Sequence, residues 1–377
     1  MDHLLIATLM RETGETGVQT HFNEFRNYLD ERGIKSTLVT PFSYLSFLSF
    51  VIMGVRKVID VLHGEASVWW YRYWHYFFLK SALKKKLNKV QTSAVYAQCP
   101  LSAKAAISVR RGLELKIFMI VHFNVSQAEE WAQKGKIKKG GALYNSIRNM
   151  EEKVFTQLDG IIYVSNYMKE TLERIVPNIK HKNSIVIPNF IHRTAANTPL
   201  ESKRDLLNIG TLEPRKNQSY LLQVLYELKL LGKKCNLTLI GDGQDRKKLE
   251  KLAETLTISD RVLFLGYQNN ASRYFAKHRI YCHCSKMENH SVTLIEALSN
   301  GIPILAAPVG GIPEIFSHGI EGFYWPLDDP RKGAYLLIKL LENDDLYTSI
   351  SKSAYERFSK NYEASAIASR LLRFLSV

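Results

Sequence analysis

The sequence predicts two doubly wound α/β domains in tandem, and three observations predict it. The chain has 377 residues, where one domain usually takes about 100–200. Its apolar residues fall in short continuous runs, the pattern of strands buried on both faces of parallel sheets. Stretches of helical period separate these runs, which argues for crossover helices between parallel strands. With 46% hydrophobic and 23% charged residues, each half can bury a sizeable core.

In the first half the strand-like runs are Leu4–Leu9, Ser36–Thr40, Ala94–Gln98, Ile117–Val121, Ile161–Val164 and Ile185–Ile187. In the second they are Leu206–Ile209, Leu237–Ile240, Val262–Leu265, Ile280–His283 and Ile304–Ala307. Helical periods cover Val18–Glu31 before Arg32-Gly33, Ser219–Leu231 before Gly232, and Val292–Ser299 before Asn300-Gly301; glycine just past the last turn is a common helix stop. The two sets join near Pro188–Pro199 and give facing domains over residues 1–193 and 194–360, with the C-terminal stretch, about 361–377, a candidate to pack back on the first. Ligands of such sheets bind beyond the carboxyl ends of the strands, so the loops after strands are where the chemistry is sought.

Two insertions interrupt the alternation. Pro41–His63 carries Phe42, Tyr44, Leu45, Phe47, Leu48, Phe50, Val51 and Ile52, then Arg56 and Lys57. Trp69–Lys89 opens on a run of aromatics and ends near Lys84, Lys85 and Lys86. The residues leave two readings open: aromatic-rich packed helices, or helices lying in an anionic membrane interface. A third segment, Asn124–Gly141, is polar and rich in Lys and Gly and reads as a mobile loop. The net charge is +15. Residues 1–190 hold 26 Lys and Arg against 16 Asp and Glu, a net of +10. Such a half suits an anionic partner: a membrane, a phosphorylated substrate or a nucleic acid. The four cysteines (Cys99, Cys235, Cys282 and Cys284) form no C-x-x-C pair. Cys282 and Cys284 alternate onto one strand face as buried thiols, and a cytosolic protein is expected. The apolar start Leu4–Met10 has no basic residue before it, so no signal peptide is expected. No apolar run reaches the ~18 residues that a membrane-crossing helix needs.

The strongest motifs lie in the second half. Gly210-Thr-Leu-Glu-Pro-Arg215-Lys216-Asn217 follows one strand, Gly241-Asp242-Gly243 the next. Glu288-Asn-His290-Ser-Val292-Thr293-Leu294-Ile-Glu296 follows a third, and Pro308-Val-Gly310-Gly311 a fourth. Arg215 and Lys216, just beyond a strand, can bind a diphosphate. Alone they would read as a solvated turn. The helix starting near Val292 offers free N–H groups and a positive dipole end to the same phosphates, and Gly310-Gly311 lets backbone approach closely.

In order and spacing these motifs resemble family 4 of the glycosyltransferases, retaining enzymes of the GT-B fold. The resemblance covers nearly the whole chain and is sharpest over Leu206–Glu314. It implies a bacterial surface-polysaccharide type of enzyme. That enzyme would move a hexosyl unit from a nucleotide-diphosphate sugar, UDP-sugar favoured over GDP-sugar, to a glycan or lipid-linked acceptor. It implies that Glu296 binds the ribose hydroxyls and Glu288 the donor sugar, with Gly210, His290, Val292, Thr293 and Leu294 also around the donor. Gly14-Glu15-Thr-Gly17 looks like the family's glycine loop, with Gly17 beside the phosphates. His122, ending the strand Ile117–Val121, matches a histidine near the donor sugar. Two departures are Asn289-His290, where the family often has Gly-Phe, and Thr211, where many relatives have arginine.

Retention admits a covalent intermediate on a carboxylate, or attack by the acceptor on the face that the phosphate leaves. No carboxylate in a motif is an obvious nucleophile, so the second is favoured. Catalysis then rests on His122, Arg215, Lys216 and Glu288 positioning the donor and stabilising the leaving group. Domain closure would exclude water. Without a D-x-D pair, no essential metal or cofactor is expected. The expected location is the cytoplasm, with peripheral placement on the inner face of the plasma membrane left open by the insertions. The alternatives are a sugar phosphorylase or epimerase on the same fold, or a basic membrane- or nucleic-acid-binding protein. No nucleic-acid motif appears, so no nucleic-acid partner is expected, and an intact set of motif residues counts against an inactive membrane scaffold.

Overall fold

The computed structural model describes residues 3–14, 16–44, 46–110, 114–123, 125–193 and 204–376. Glu15, Leu45, Asn124 and residues 194–199 of the expected joint lie outside the described residues, as does the far side of the 193/194 boundary. Contacts divide the chain into two units. One runs to Pro188 and takes in the stretch from Ile367 onward; the other is Asn189–Ala366.

Among the described residues of the first unit, six strands form a parallel sheet: β1 (His3–Ala7), β2 (Lys35–Val39), β3 (Ala94–Ala97), β4 (Lys116–Val121), β5 (Gly160–Tyr163) and β6 (Ser184–Val186). Their order is β2-β1-β3-β4-β5-β6. The helices are α1 (Gly17–Glu31), α2 (Ser46–Leu62), α3 (Gly64–Leu87), α4 (Pro100–Val109), α5 (Gln127–Gln133), α6 (Ala142–Gln157) and α7 (Asn166–Ile175). The continuous apolar runs do what their pattern predicts: Leu5, Val95, Ile117, Met119 and Ile161 share one core.

In the second unit the strands are β7 (Arg204–Ile209), β8 (Leu237–Ile240), β9 (Val262–Gly266), β10 (His278–His283), β11 (Ile304–Ala306) and β12 (Gly322–Tyr324). They too run parallel, in the order β12-β11-β10-β7-β8-β9. The helices are α8 (Gln218–Leu230), α9 (Arg246–Thr255), α10 (Val292–Ser299), α11 (Ile312–Ile315), α12 (Pro330–Leu341), α13 (Asp344–Asn361) and α14 (Ala364–Leu375), the last crossing from this unit into the first. Phe374 of α14 lies 5.5 Å, ring to ring, from Phe118 of β4. Cys282 and Cys284 enter one core face while Tyr281 enters the other. Each unit is thus a parallel sheet of α/β type with flanking helices.

Strand order reverses between β1 and β3 in one sheet and between β7 and β10 in the other. In doubly wound sheets the crevice at such a reversal, outside the carboxyl ends, is where ligands bind.

The two insertions form the helical pair α2–α3 in the crossover from β2 to β3. His75, Phe78, Leu79 and Leu83 of α3 are core, so part of this stretch is packed protein. Its other side is exposed. The expectation of a mobile loop over 124–141 is corrected: the segment carries α5, whose Ser126 caps the helix by accepting from the Glu129 N–H at 2.9 Å. Glu129 and Glu130 in the first turn suit the helix dipole. Lys136 pairs with Asp60 of α2 and Lys139 with Glu129. A helix this short and polar has too few apolar residues to show its period.

Candidate active site

In the second unit the residues after β7 and those after β10 meet at the point where strand order reverses. The backbone holds them first. The Lys286 N–H donates to the Arg215 carbonyl at 2.9 Å, and the Cys284 thiol to the Lys216 carbonyl. The Gly311 N–H donates to the Glu288 carbonyl at 3.1 Å, joining the loop after β11. Asn189 Nδ2 donates to the His290 carbonyl at 2.7 Å.

The side chains follow. Lys216 Nζ donates to Glu288 Oε2 at 2.7 Å. His283 Nε2 lies 3.4 Å from the same oxygen and Arg215 Nη1 3.9 Å from it. Arg215 also donates to Glu213 through Nε and Nη2 and to the Met287 carbonyl through Nη1. Two cations and two carboxylates thus form one cluster, with the Lys216 and Glu288 side chains only 18% and 14% exposed. Burial alone would raise the Glu288 pKa. Lys216 overrides it, helped by His283 and Arg215, and the carboxyl is held well below the usual range. Burial lowers the pKa of His283. The same cause takes His290 down to about 3, so its imidazole is neutral at pH 7.

Beside this cluster, α10 starts at Val292 with no side-chain cap; its N-cap, Ser291, instead shares a hydrogen bond with Thr293 Oγ1 at 2.9 Å. Val292 and Leu294 are core side chains, so their part in binding is limited to backbone N–H groups. Those groups of the first turn, with the helix dipole behind them, suit an anion. Glu296, half-buried, stands one turn further along α10. Tyr281, whose hydroxyl donates to the Ile209 carbonyl, has its pKa raised by burial, with the Glu296 and Glu288 carboxylates both adding to the rise.

Glycines shape the floor. A Cβ on Gly210 would meet nothing nearer than Lys216 Cε at 3.9 Å, so this position keeps room beside the lysine. Gly241 has φ +130, and a Cβ there would run into the Gly210 carbonyl. Gly241→Ala is expected to cost roughly 2–5 kcal/mol through overlap and backbone strain. A lowered thermal midpoint, with nucleotide binding lost alongside it, is the result to look for; an unchanged midpoint would show that the β7 and β8 loops have slack.

In the first unit, His122 follows β4 and is half-buried. Its Nε2 lies 3.4 Å from Gln98 Oε1, just after β3, and its ring is 4.9 Å from that of His21 in α1. His21 in turn reaches the Tyr96 hydroxyl at 2.8 Å. This polar group sits at the carboxyl edge near the β1/β3 reversal. Gly17 opens α1 behind the Thr16 cap, in a capping box with Gln19. The glycine whose conformation the loop demands is Gly14, at φ +144 with a Cβ position occupied by the Gln19 amide. Three residues of these clusters carry no signal in the motif reading. Glu213 lies inside the Gly210–Asn217 motif without a role there, His283 ends a strand-like run, and His21 lies beyond the Gly14–Gly17 loop.

Residues 192–357 match the family described as glycosyl transferases group 1, and residues 16–194 match glycosyltransferase family 4. The chain belongs to the glycosyltransferases. This glycosyltransferase is 28% identical over 237 residues to N-acetyl-alpha-D-glucosaminyl L-malate synthase of Bacillus anthracis, covering 60% of this chain and 61% of that one. It is 27% identical over 194 residues to a Campylobacter jejuni N-acetylgalactosaminyltransferase named for a diphospho-undecaprenol acceptor, covering 51% and 52%. The matches thus span about half to three fifths of these curated relatives. Among solved structures, Anabaena HepE in complex with UDP and glucose has the same fold, with a TM-score of 0.73 at 15% identity over 100% of this chain and 99% of that one.

Proposed function

We propose that this glycosyltransferase moves a hexosyl unit, with retention of configuration, from a nucleotide-diphosphate sugar to a glycan or lipid-linked acceptor in bacterial surface-polysaccharide synthesis in the cytoplasm. The observation that carries the reading is the cluster of Arg215, Lys216 and Glu288 beside the uncapped start of α10. A diphosphate needs cations and N–H donors together, and this is where the second unit offers both. UDP is favoured over GDP as the donor's nucleotide; binding of UDP by HepE agrees with that choice.

In this reading the diphosphate takes the N–H groups of Val292, Thr293 and Leu294 and draws Lys216 and Arg215 toward it. Glu296 holds the ribose. Glu288 holds the hexose, with His290 and Gly210 bordering the donor. As the glycosidic C–O bond breaks, negative charge grows on the β-phosphate oxygen, and fixed donors stabilise it without reorganisation. The acceptor hydroxyl attacks on the face being vacated and passes its proton to a phosphate oxygen. The chemistry asks for no metal or cofactor.

A screen of nucleotides and nucleotide sugars by calorimetry, followed by turnover with undecaprenyl- and glycan-linked acceptors, tests this. UDP and a UDP-sugar should bind, and turnover should release UDP. Binding confined to GDP compounds would reverse the donor choice. Turnover that required inorganic phosphate would favour a phosphorylase.

A further inference from the structure

Helix α2 turns a broad apolar face outward. Residues spaced by three and four fall on one helical face. On α2 the outward face carries Phe47 at 83% exposure, Val51, Gly54, Val58 at 64% and Val61 at 86%. Leu48, Phe50, Val55 and Leu62 flank this stripe and are also exposed. Ser49, Arg56 and Asp60 point the other way, beside half-buried Ile52, Met53 and Ile59. Ser49 is buried. Arg56 donates to Ser67 of α3 at 3.2 Å and lies 4.7 Å above the Tyr71 ring. Asp60 pairs with Lys136 at 2.8 Å. A helix that met only water would bury its valines and expose Arg56 and Asp60. This one spends its polar groups on protein contacts and keeps its apolar face outside, an exposed patch of a kind that marks an interaction surface.

Helix α3 continues the pattern. Trp69, Tyr73 and Phe77 form an exposed stripe at a spacing of four, Trp69 and Tyr73 stacked at 5.2 Å. One to two turns further along the helix come Lys80, Lys84 and Lys85. Lys57 borders the apolar face of α2, and Lys85 lies 5.1 Å from the Tyr44 ring. Apolar residues that pass into aromatics and then into lysines match the depth profile of a bilayer surface, from acyl chains through the interface to anionic headgroups. Among the described residues no helix is long and apolar enough to cross a membrane. The 17 residues of α2, about 26 Å long, are suited to lie along the surface.

We propose that the outward faces of α2 and α3 dock this protein on an anionic lipid bilayer, with Phe47, Val51, Val58, Val61 and Trp69 entering the acyl boundary and Lys57, Lys80, Lys84 and Lys85 meeting the headgroups. Charge selects this occupant over a second copy of the chain. Two such faces would set lysines against lysines, whereas anionic headgroups supply the opposite charge.

Sedimentation with phosphatidylglycerol-rich vesicles, compared with phosphatidylcholine alone, tests the proposal. The full chain should bind the anionic vesicles at low salt and release as salt rises, since screening sets in within roughly 10 Å at 0.1 M. Trp emission should shift to the blue on binding, and Trp69→Phe should remove most of that shift. Phe47→Ser/Val51→Ser/Val58→Ser should lower partitioning at least about tenfold through lost apolar burial. These positions are exposed, so its melting and nucleotide binding should match the parent's, which separates this surface from the active site. Lys84→Ala/Lys85→Ala should weaken only the anionic preference. Absence of binding at low salt overturns the proposal, as does full binding by the triple serine variant. A concentration-dependent dimer that the serine variant dissolves, without vesicle binding, would assign the face to a second copy.

Discussion

Lys216→Ala is expected to lower turnover roughly 10²–10³-fold, the usual cost of removing one preorganised donor to a developing anion. The structure adds a second consequence. Lys216 is the nearest partner of Glu288, at 2.7 Å in a largely buried setting. Without it the carboxylate stays buried, with His283 at 3.4 Å and Arg215 at 3.9 Å as its remaining ion-pair partners among the described residues. The stability loss should fall below the roughly 3–5 kcal/mol of a fully orphaned buried charge. It should also depend on pH. The Glu288 pKa is depressed in the folded protein, so the pair's stabilisation is complete above the ordinary carboxylate range, begins to fall there, and is lost only as pH drops on through the depressed folded value. The variant should therefore lose stability mainly near neutrality and little in acid. A double variant, Lys216→Ala/Glu288→Gln, removes the orphaned charge; it should recover stability and remain inactive. Recovery of activity along with stability would show that Lys216 serves the fold and not the reaction.

How much of this was legible beforehand differs from element to element, for physical reasons. Strands such as Ile117–Val121 and Leu237–Ile240 were plain because burial on both faces forces a continuous apolar run. β12 was missed: three residues, Gly322–Tyr324, with a glycine at the start, are too few for any run. α5 was missed because its sequence is polar. α2 shows a helical period, yet a period does not say which face turns inward. The exposure of Phe47, Val58 and Val61, with the contacts of Arg56 to Ser67 and of Asp60 to Lys136, shows which face turns outward. In the site, the loops that carry Arg215, Lys216 and Glu288 were found because they follow strands. That Lys216 and Glu288 touch was not readable, since 72 residues separate them and strand order alone makes β7 and β10 neighbours. Glu213 and His283 were hidden for the same reason. Each has an unremarkable local sequence and matters through what the reversal in strand order places beside it.

Glu296→Ala and Glu288→Gln are expected to part nucleotide binding from sugar transfer. Glu296 stands on α10 beyond the N–H groups assigned to the phosphates, on the side proposed for the ribose. Loss of a charge-assisted hydrogen bond costs about 1.5–3 kcal/mol, so Glu296→Ala should weaken UDP and the intact donor alike, by roughly 10–150-fold. Glu288 differs because of what it holds. Its carboxylate now neutralises Lys216. Glu288→Gln leaves that ammonium uncompensated, and an uncompensated cation attracts the diphosphate more, not less. UDP affinity should then stay the same or rise, while donor turnover falls because the hexose loses its proposed partner. Glutamine keeps the shape of the side chain, and the Glu288 carbonyl that anchors Gly311 is untouched, so the fold should survive. Calorimetric titration of both variants with UDP, set beside their turnover, reads the two roles separately. Abolished UDP binding in a folded Glu288→Gln protein, or unchanged UDP binding in Glu296→Ala, would mean that the two carboxylates do not divide the donor in this way.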